Sequence, residues 1–199
     1  MNRNFTIIAR SGNKLQKYIP KLAKLRIEVF REFPYLYDGT VEYEQNYLKT
    51  YIRSEDSIVV MVFNGDQLVG ASTGLPMTDE TDEFKKPFAD RGIDVEKVFY
   101  CGESILKKDY RGQRIYSTFM REREDHARRL NRFDTICFCA VVRSDDHPLR
   151  PAGYQQLDAI WQKYGYKKNP DLTARYVWKD IDQPKETAKK MVFWLKQLD

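Results

Sequence analysis

The sequence predicts a mixed α/β fold. Segments with the apolar pattern of strands follow segments with the apolar periodicity of helices along the chain. In the strand-type segments, apolar residues are either continuous or occupy every second position. The order of all these segments is β, α, α, β-hairpin, β, α, β, α, β, β, which is an α/β pattern. With 199 residues, 42% of them hydrophobic, the chain can build a proper core. We therefore expect residues 1–199 to form a single domain, with a mixed central sheet of about six or seven strands and about four flanking helices.

The first half of the chain contains two helical segments and a β-hairpin. The helical pattern is broken near Pro20, because proline removes a backbone hydrogen bond from a helix interior. Asn64 and Gly65 separate two apolar strands and form a dipeptide that is favoured in tight hairpin turns. In chain order, we predict a strand over 5–9, helical turns from 15 to about 32, a loop over 34–39, a helix over 42–52, and hairpin strands over 57–63 and 67–75.

The second half contains the longest predicted helix and the most apolar strands. Residues 78–97 are charged and contain Pro87 and Gly92, so they indicate a long connection that holds a short helix. Residues 191–198 fit either an amphipathic helix or a final strand. The other predicted elements are strands over 98–106, 133–142 and 174–181, helices over 114–130 and 157–164, and a polar loop over 144–153.

A basic turn joins the strand over 98–106 to the helix over 114–130. The first N–H groups of a helix lack intrahelical partners and carry partial positive charge, so they bind anions well. Four cations crowd the same turn: Lys107, Lys108, Arg111 and Arg114. This chemistry predicts an anion site, with a phosphate-bearing ligand as the expected occupant.

The segment 106–115, Leu-Lys-Lys-Asp-Tyr-Arg-Gly-Gln-Arg-Ile, resembles motif A of the GNAT acyltransferases, where the turn holds the pyrophosphate of acetyl-CoA. The resemblance implies acetyl-CoA or another acyl-CoA as co-substrate. The implied pyrophosphate-binding residues are Arg111, Gly112, Gln113, Arg114, Ile115 and Tyr116. Arg114 and Tyr116 stand where the family has small residues. Because a helix start requires no positive φ, we expect the turn to accommodate both side chains.

The order of the predicted elements also resembles that of the GNAT fold over nearly the whole chain, which favours a strand over 191–198. By the same resemblance, acyl-CoA lies between two splayed strands, 98–106 and 133–142. The residues whose backbone is implied to bind the pantetheine arm and to polarise the acyl carbonyl are Ser104, Ile105 and Leu106. The implied activity is an N-acyltransferase that moves an acetyl or other short acyl group to an amine, on a small molecule or a peptide, by direct attack.

Glu103 is the candidate general base. It lies in the apolar strand over 98–106, where a carboxylate requires a partner or a changed protonation equilibrium. Many GNAT enzymes place on this strand a glutamate that removes a proton from the acceptor ammonium, directly or through water. The alternative is a structural carboxylate at a strand end, paired with Arg143 or with another cation.

Two further residues are candidates for proton transfer. The helix over 157–164 resembles the GNAT segment Tyr-x-x-x-Gly-Phe, whose tyrosine often protonates the departing thiolate. Trp161 occupies the tyrosine position, so Tyr164 becomes the candidate general acid, with simple packing as its alternative. His147 lies in the polar loop over 144–153 and is either a base or a residue that orders the loop.

Composition restricts the remaining alternatives. The net charge of +5 is mild and the basic residues are interleaved with acidic ones, so we expect no specific nucleic-acid partner; a basic nucleic-acid-binding module is the alternative from another class. Within the GNAT fold, the alternative is a degenerate protein that binds acyl-CoA with little transfer.

We expect a cytoplasmic protein without a membrane partner, on the evidence of its cysteine usage, the lack of a secretory signal and the lack of an apolar run of ~20 residues. The two histidines lie far apart and predict no metal site, and homodimerisation is left open.

Overall fold

The computed structural model describes residues 5–198 as eight strands and six α-helices. The strands are β1 (Phe5–Arg10), β2 (Ile58–Asn64), β3 (Gln67–Pro76), β4 (Val98–Tyr100), β5 (Ser104–Leu106), β6 (Thr135–Val141), β7 (Lys167–Lys179) and β8 (Glu186–Gln197). The helices are α1 (Ile19–Phe30), α2 (Val41–Tyr47), α3 (Lys49–Arg53), α4 (Asp82–Ala89), α5 (Ile115–Arg129) and α6 (Asp158–Lys163). Not one of these helices has the length and apolar character that crossing a membrane requires.

The strands form one open mixed sheet. Its order is β1-β2-β3-β4-β6-β8-β7, and β5 pairs with β3 nearer the start of that strand than β4 does. The pairs are antiparallel except for β4 and β6, which run parallel. Because parallel strands need a crossover connection, α5 passes over the sheet between them.

Helices cover the sheet on both faces. Alternate side chains of β2 point to opposite faces, so Val59 and Met61 join one core while Val60 and Val62 join the other. The first core packs under α1, α3 and α4, and the second packs under α5. Burial on both faces explains why β2 is a continuous apolar run in the sequence rather than an alternating one.

The carboxyl-terminal segment is a strand and not an amphipathic helix. β8 pairs with β6 along one edge and with β7 along the other. Both β7 and β8 begin earlier than the predicted 174–181 and 191–198. The pattern missed their first residues because these are largely exposed and carry no apolar alternation. The predicted hairpin turn is confirmed, with Gly65 at a φ of 58°.

The first helices differ from the prediction at two positions. Pro20 lies in the first turn of α1, where a missing N–H is harmless, so it begins the helix rather than breaking it. The helix predicted over 42–52 divides at Leu48 into α2 and α3. The apolar periodicity continues across this division, with Leu48 and Tyr51 both fully buried, so the pattern could not reveal it.

Candidate active site

The strand predicted over 98–106 is divided in two, which accounts for the eighth strand. β4 pairs with β6 as far as Tyr100 and Cys137, and the Cys101 N–H donates to the Cys137 carbonyl at 2.7 Å. The chain then leaves β6, and β5 pairs with β3 instead. Between residues 5 and 198, no strand pairs with the other edge of β5. The predicted splay between the two strands is therefore present.

Gly102 allows this division. A Cβ at this position would lie 2.1 Å from the hydroxyl oxygen of Tyr51, which is too close for any side chain. The carbonyl of Glu103 accepts hydrogen bonds from the Thr73 N–H and the Ser72 hydroxyl, both at 3.0 Å. These bonds hold the chain against β3 just after the glycine. The apolar pattern of the predicted strand continues across the division and does not reveal it.

A cavity of about 190 Å³ opens where the two strands diverge, and we call it the splay cavity. The division, β6, α5 and α6 contribute to its lining: Cys101, Gly102, Glu103, Ser104, Phe138, Cys139, Tyr116, Arg123 and Trp161. Of the three predicted pantetheine-binding residues, Ser104 lines this cavity, whereas the side chains of Ile105 and Leu106 are buried in the two cores. The splay cavity occupies the region to which the resemblance assigns the acyl group.

A second cavity, of about 230 Å³, adjoins the splay cavity, and we call it the aromatic cavity. Its walls are rich in aromatic side chains: Phe30, Tyr35, Tyr37, Tyr43, Tyr47, Phe84, Tyr100, Tyr176 and Trp178. Residues that line both cavities are Phe30, Tyr35, Gly102, Glu103 and Cys139. The two cavities therefore meet at the division between β4 and β5.

One guanidinium and two carboxylates are buried at this meeting point. Arg26, Glu44 and Glu103 are 8%, 1% and 7% exposed. Arg26 forms ion pairs with both carboxylates, and its Nη1 lies 2.5 Å from Oε1 of Glu103. The Arg26–Glu44–Glu103 trio thus carries one net negative charge. A buried net charge is unfavourable unless a further partner joins it, so the trio can accept one more cation.

The structural alternative for Glu103 named Arg143 or another cation as its partner, and the structure contains the second of these, Arg26. Arg143 forms an ion pair with Asp180 at 2.7 Å and donates to the Pro34 carbonyl. α1 instead presents Arg26 to Glu103. The available signal was the position of Arg26 four residues after Leu22, in the otherwise apolar buried stripe of α1. Whether Glu103 acts as a base stays a prediction.

A third carboxylate, Glu80, is 3% exposed and forms no ion pair within residues 5–198. Burial raises the pKa of Glu80 to about 7, although the Thr81 N–H donates to it at 3.0 Å. The Tyr47 hydroxyl donates to Oε1 of Glu80 at 3.4 Å, but Glu80 itself lines neither cavity. Glu80 is therefore close to the site without forming its wall.

The turn between β5 and α5 contains two residues in the left-handed region. Gly112 has a φ of 77°, and Arg114, the N-cap residue of α5, has a φ of 61°. The expectation that this helix start needs no positive φ is therefore wrong, and Arg114 occupies a conformation that favours glycine. A Cβ built on Gly112 meets no atom within 4 Å, so the space beside the turn is open. The N-cap side chain of α5 accepts no hydrogen bond from the helix, and an uncapped helix N-terminus beside open space fits the pyrophosphate of CoA.

Two of the four cations in this turn are already engaged. Lys107 pairs with Glu28 at 2.6 Å, and Arg111 pairs with Glu32 at 2.8 Å. The other two cations are exposed and, within residues 5–198, form no ion pair. In this part of the chain, two of the four predicted cations, rather than all four, are therefore left without a carboxylate partner beside the first N–H groups of α5.

We expect Arg114→Gly to raise the free energy of unfolding by roughly 0.5–1 kcal/mol, because glycine adopts the left-handed conformation without strain. Arg121→Gly is the matched control. Arg121 is exposed in the interior of α5, so the same substitution there should lower the free energy by about 1 kcal/mol. Urea denaturation followed by circular dichroism measures both variants. A loss of stability in both would show that position 114 is not strained.

The two residues that depart from the resemblance, Tyr116 and Trp161, contact each other. Trp161 Nε1 donates to the Tyr116 hydroxyl at 2.7 Å, and both side chains line the splay cavity. The phenol keeps its own proton to donate, so Tyr116 is a candidate acid that the sequence pattern did not single out. Tyr164, the predicted acid, lines neither cavity and packs against Tyr116 with ring centroids 6.2 Å apart.

His147 lies apart from the trio. Its Nδ1 accepts a hydrogen bond from the Leu149 N–H at 3.2 Å, and its ring packs 5.8 Å from that of Phe33. It lines neither cavity. These contacts are typical of a residue that orders its own loop, and a catalytic role for His147 stays a prediction.

The three cysteines, Cys101, Cys137 and Cys139, are free and buried. Burial raises the pKa of Cys101 to about 11 and that of Cys139 to about 12. Both residues therefore line the cavities as neutral thiols. Among residues 5–198, no group of three or more histidine, cysteine or carboxylate side chains is arranged to hold a metal ion.

No protein-family model matches the sequence, and no curated protein matches it. Several solved structures do match the fold of this chain. Ribosomal-protein-alanine N-acetyltransferase from Brucella melitensis superposes with a TM-score of 0.61 at 14% identity, over 96% of this chain and 99% of that one. The protein yncA from Salmonella typhimurium, solved with its cofactor acetyl-CoA, superposes with a TM-score of 0.60 at 9% identity, over 97% of this chain and 94% of that one.

An acetyltransferase of the GNAT family from Streptococcus pneumoniae superposes with a TM-score of 0.57 at 12% identity, over 98% of this chain and 100% of that one. The predicted mixed α/β class is thereby confirmed, including the order of the elements that the resemblance implied. On this likeness in architecture, the chain has the fold of the GNAT acetyltransferases.

Proposed function

We propose that this protein transfers an acetyl or other short acyl group from acyl-CoA to an amine. One observation carries the proposal: the splay cavity and the aromatic cavity meet at Gly102 and Glu103. Two substrates that enter from separate sides would come into contact there, and holding reactants in contact supplies much of the rate of a bimolecular reaction. The GNAT fold, and the acetyl-CoA bound by the Salmonella neighbour, support the choice of donor.

The donor fits the side of the fold that carries the splay cavity. The N-terminus of α5, beside the open space at Gly112, would bind the pyrophosphate. The edge of β5 that no strand of residues 5–198 pairs with offers backbone groups to the pantetheine arm. The thioester would then lie in the splay cavity next to Ser104 and Glu103.

The acceptor fits the aromatic cavity. An ammonium group there would balance the net negative charge of the Arg26–Glu44–Glu103 trio. The surrounding tyrosine and tryptophan rings attract cations through their π faces and also accommodate an apolar body. The amine nitrogen would reach the donor at Glu103, where the two cavities meet.

Acyl-CoA supplies a thioester whose carbonyl carbon an amine can attack. Glu103 holds the acceptor ammonium and takes its proton, so the free nitrogen can form the C–N bond while the C–S bond breaks. Tyr116 donates its phenolic proton to the departing sulfur, and the second proton shed by the nitrogen restores it through water. Cys101 and Cys139 are protonated at neutral pH, which favours direct transfer over an acyl-cysteine intermediate.

A second candidate function is binding of acyl-CoA with little transfer. Arg26 favours it, because this guanidinium already engages Glu103 and would compete with an incoming ammonium. Trp161 of α6 also favours binding without transfer, because it stands where many GNAT enzymes have a tyrosine that protonates the thiolate.

Two measurements test the proposal. We expect CoA and acetyl-CoA to raise the melting temperature, with an effect that weakens as salt rises because phosphate contacts are screened. A panel of primary amines with acetyl-CoA, followed by detection of free thiol, should then show amine-dependent release of CoA. A shift with CoA but no thiol release across the panel would support the binding protein instead. A shift with an oligonucleotide but not with CoA would contradict both.

A further inference from the structure

Arg123 is a buried cation in the wall of the splay cavity. It lies on α5, two turns after Tyr116, and is 2% exposed. Its side chain lines the cavity together with Tyr116 and Trp161. Arginine is always charged in proteins, so this position keeps a positive charge away from water.

The guanidinium of Arg123 is poorly satisfied by the protein. Nη1 donates to the Glu103 carbonyl at 3.2 Å, and Nη2 donates to the Met120 sulfur, a weak acceptor, at 2.9 Å. Nε is buried and has no hydrogen-bond partner within residues 5–198. Arg123 also forms no ion pair in that part of the chain. A buried arginine normally uses its planar set of donors on a carboxylate or a phosphate.

The other cations that line the splay cavity are all paired. Their ion pairs are Arg143 with Asp180 at 2.7 Å, Lys168 with Asp158 at 3.0 Å, and Arg150 with Asp145. The lack of a partner is therefore a property of Arg123 and not of basic residues in this cavity generally.

Residues close to Arg123 do not supply the missing anion. Burial raises the pKa of Cys101 to about 11, so its thiol is neutral. Glu124, the next residue on α5, already accepts from Lys196 at 2.7 Å and lies 3.6 Å from Arg128. The charge of Arg123 is thus left for a group that enters the cavity.

We propose that Arg123 binds a carboxylate at the far end of the acyl group, and that the donor is a CoA monothioester of a short dicarboxylic acid. This inference rests on the proposed function, because it places the acyl group in the splay cavity. Arg123 donates to the carbonyl of Glu103, so its guanidinium lies beside the division where the thioester is placed. A two-carbon spacer between thioester and carboxylate suits a cavity of about 190 Å³.

Succinyl-CoA and butyryl-CoA test the inference, because the two acyl chains have the same length and differ in a terminal carboxylate against a methyl group. Titration calorimetry on the full chain should give a dissociation constant for succinyl-CoA that is smaller by about tenfold or more. Equal affinities for the two thioesters would overturn the inference while leaving the proposed function intact. Failure to bind either thioester, or CoA, would overturn the proposed function as well.

Two variants assign the preference to its residue. Arg123→Met should reduce the ratio of the two dissociation constants to about one, since methionine fills the space without a charge. Arg150→Met is the matched control: it removes a cation of the same cavity that is already paired, and it should keep the preference. A preference that survives in Arg123→Met, or that is lost equally in both variants, would show that Arg123 is not the carboxylate site.

A purely structural role for Arg123 predicts a different result. If the residue served only to brace the Glu103 carbonyl, Arg123→Met would lower the melting temperature of the ligand-free protein. An unpaired buried charge instead predicts that the ligand-free variant melts at a higher temperature than the wild type. A lower melting temperature together with an unchanged thioester ratio would contradict the inference.

Discussion

Arg26→Met is expected to lower the free energy of unfolding by about 3–5 kcal/mol at neutral pH, because it leaves two buried carboxylates facing each other without a cation. Glu44 and Glu103 are 1% and 7% exposed, so little water solvates their charges in the folded protein. The variant would also lose the packing of Arg26 over the rings of Phe30 and Tyr47, at 5.0 and 4.6 Å. Urea denaturation of the wild type and the variant measures the difference.

The matched control is Arg31→Met, one residue beyond α1. Arg31 pairs with Asp38 at 2.9 Å, but both side chains are substantially exposed, so its loss should lower the free energy of unfolding far less than the loss of Arg26 does. Lowering the pH should reduce the deficit of Arg26→Met, because protonation removes the charges that the substitution leaves unpaired. A deficit that is the same at low and neutral pH would mean that lost packing, and not unpaired charge, explains the effect.

Most of the fold could be predicted because its signals are local. β2 and β3 are long apolar strands around an Asn-Gly turn, and α5 is fifteen residues of helical sequence. The final strand was ambiguous alone, since 191–198 fit both periodicities, and the order of the other elements decided it. Tertiary pairing with β6 and β7 is what holds β8 extended.

The site was predicted only in part because its decisive features are contacts between distant segments. At the division after Tyr100, the Tyr51 hydroxyl fills the place that a Cβ at Gly102 would take. No local pattern contains that information. The partner of Glu103 comes from α1, and the burial of Arg123 occurs on a helix whose sequence is rich in charge, where a solvated position is the usual expectation.

The turn between β5 and α5 gives a second reason why the site could be predicted only in part. Its position and its likeness to a phosphate-binding turn were visible in the sequence, but the left-handed φ of Arg114 was not, because arginine rarely adopts that conformation. The pairing of Tyr116 with Trp161 was equally hidden. Each residue departs from the GNAT pattern when taken singly, and only their contact in the fold shows that the two departures are connected.

Glu103→Gln is expected to lower turnover by about 10²-fold or more while changing the affinity for acetyl-CoA little. Glu103 lines both cavities, so its carboxylate can reach an ammonium in the aromatic cavity and the thioester in the splay cavity. Glutamine keeps the shape but neither attracts the ammonium nor accepts its proton. The loss should be largest near pH 6 and should shrink as the pH approaches the pKa of the acceptor amine, because free amine then becomes available from solution.

Glu80→Gln is the matched control for this prediction, since Glu80 is equally buried but lines neither cavity. Its pKa rises from an ordinary value of 4.5 to about 7 on folding. The unfolded chain therefore ionises first as the pH rises, and the native protein loses stability between these two values. The glutamine variant escapes that loss and should be more stable than the wild type by about 3 kcal/mol above pH 7, with turnover nearly unchanged.

Two outcomes would contradict the role of Glu103. If Glu80→Gln lost turnover and Glu103→Gln kept it, the result would show that the acceptor proton passes through Tyr47 to Glu80. Equal activity of Glu103→Gln and the wild type from about pH 6 to 9 would instead leave water or His147 as the base.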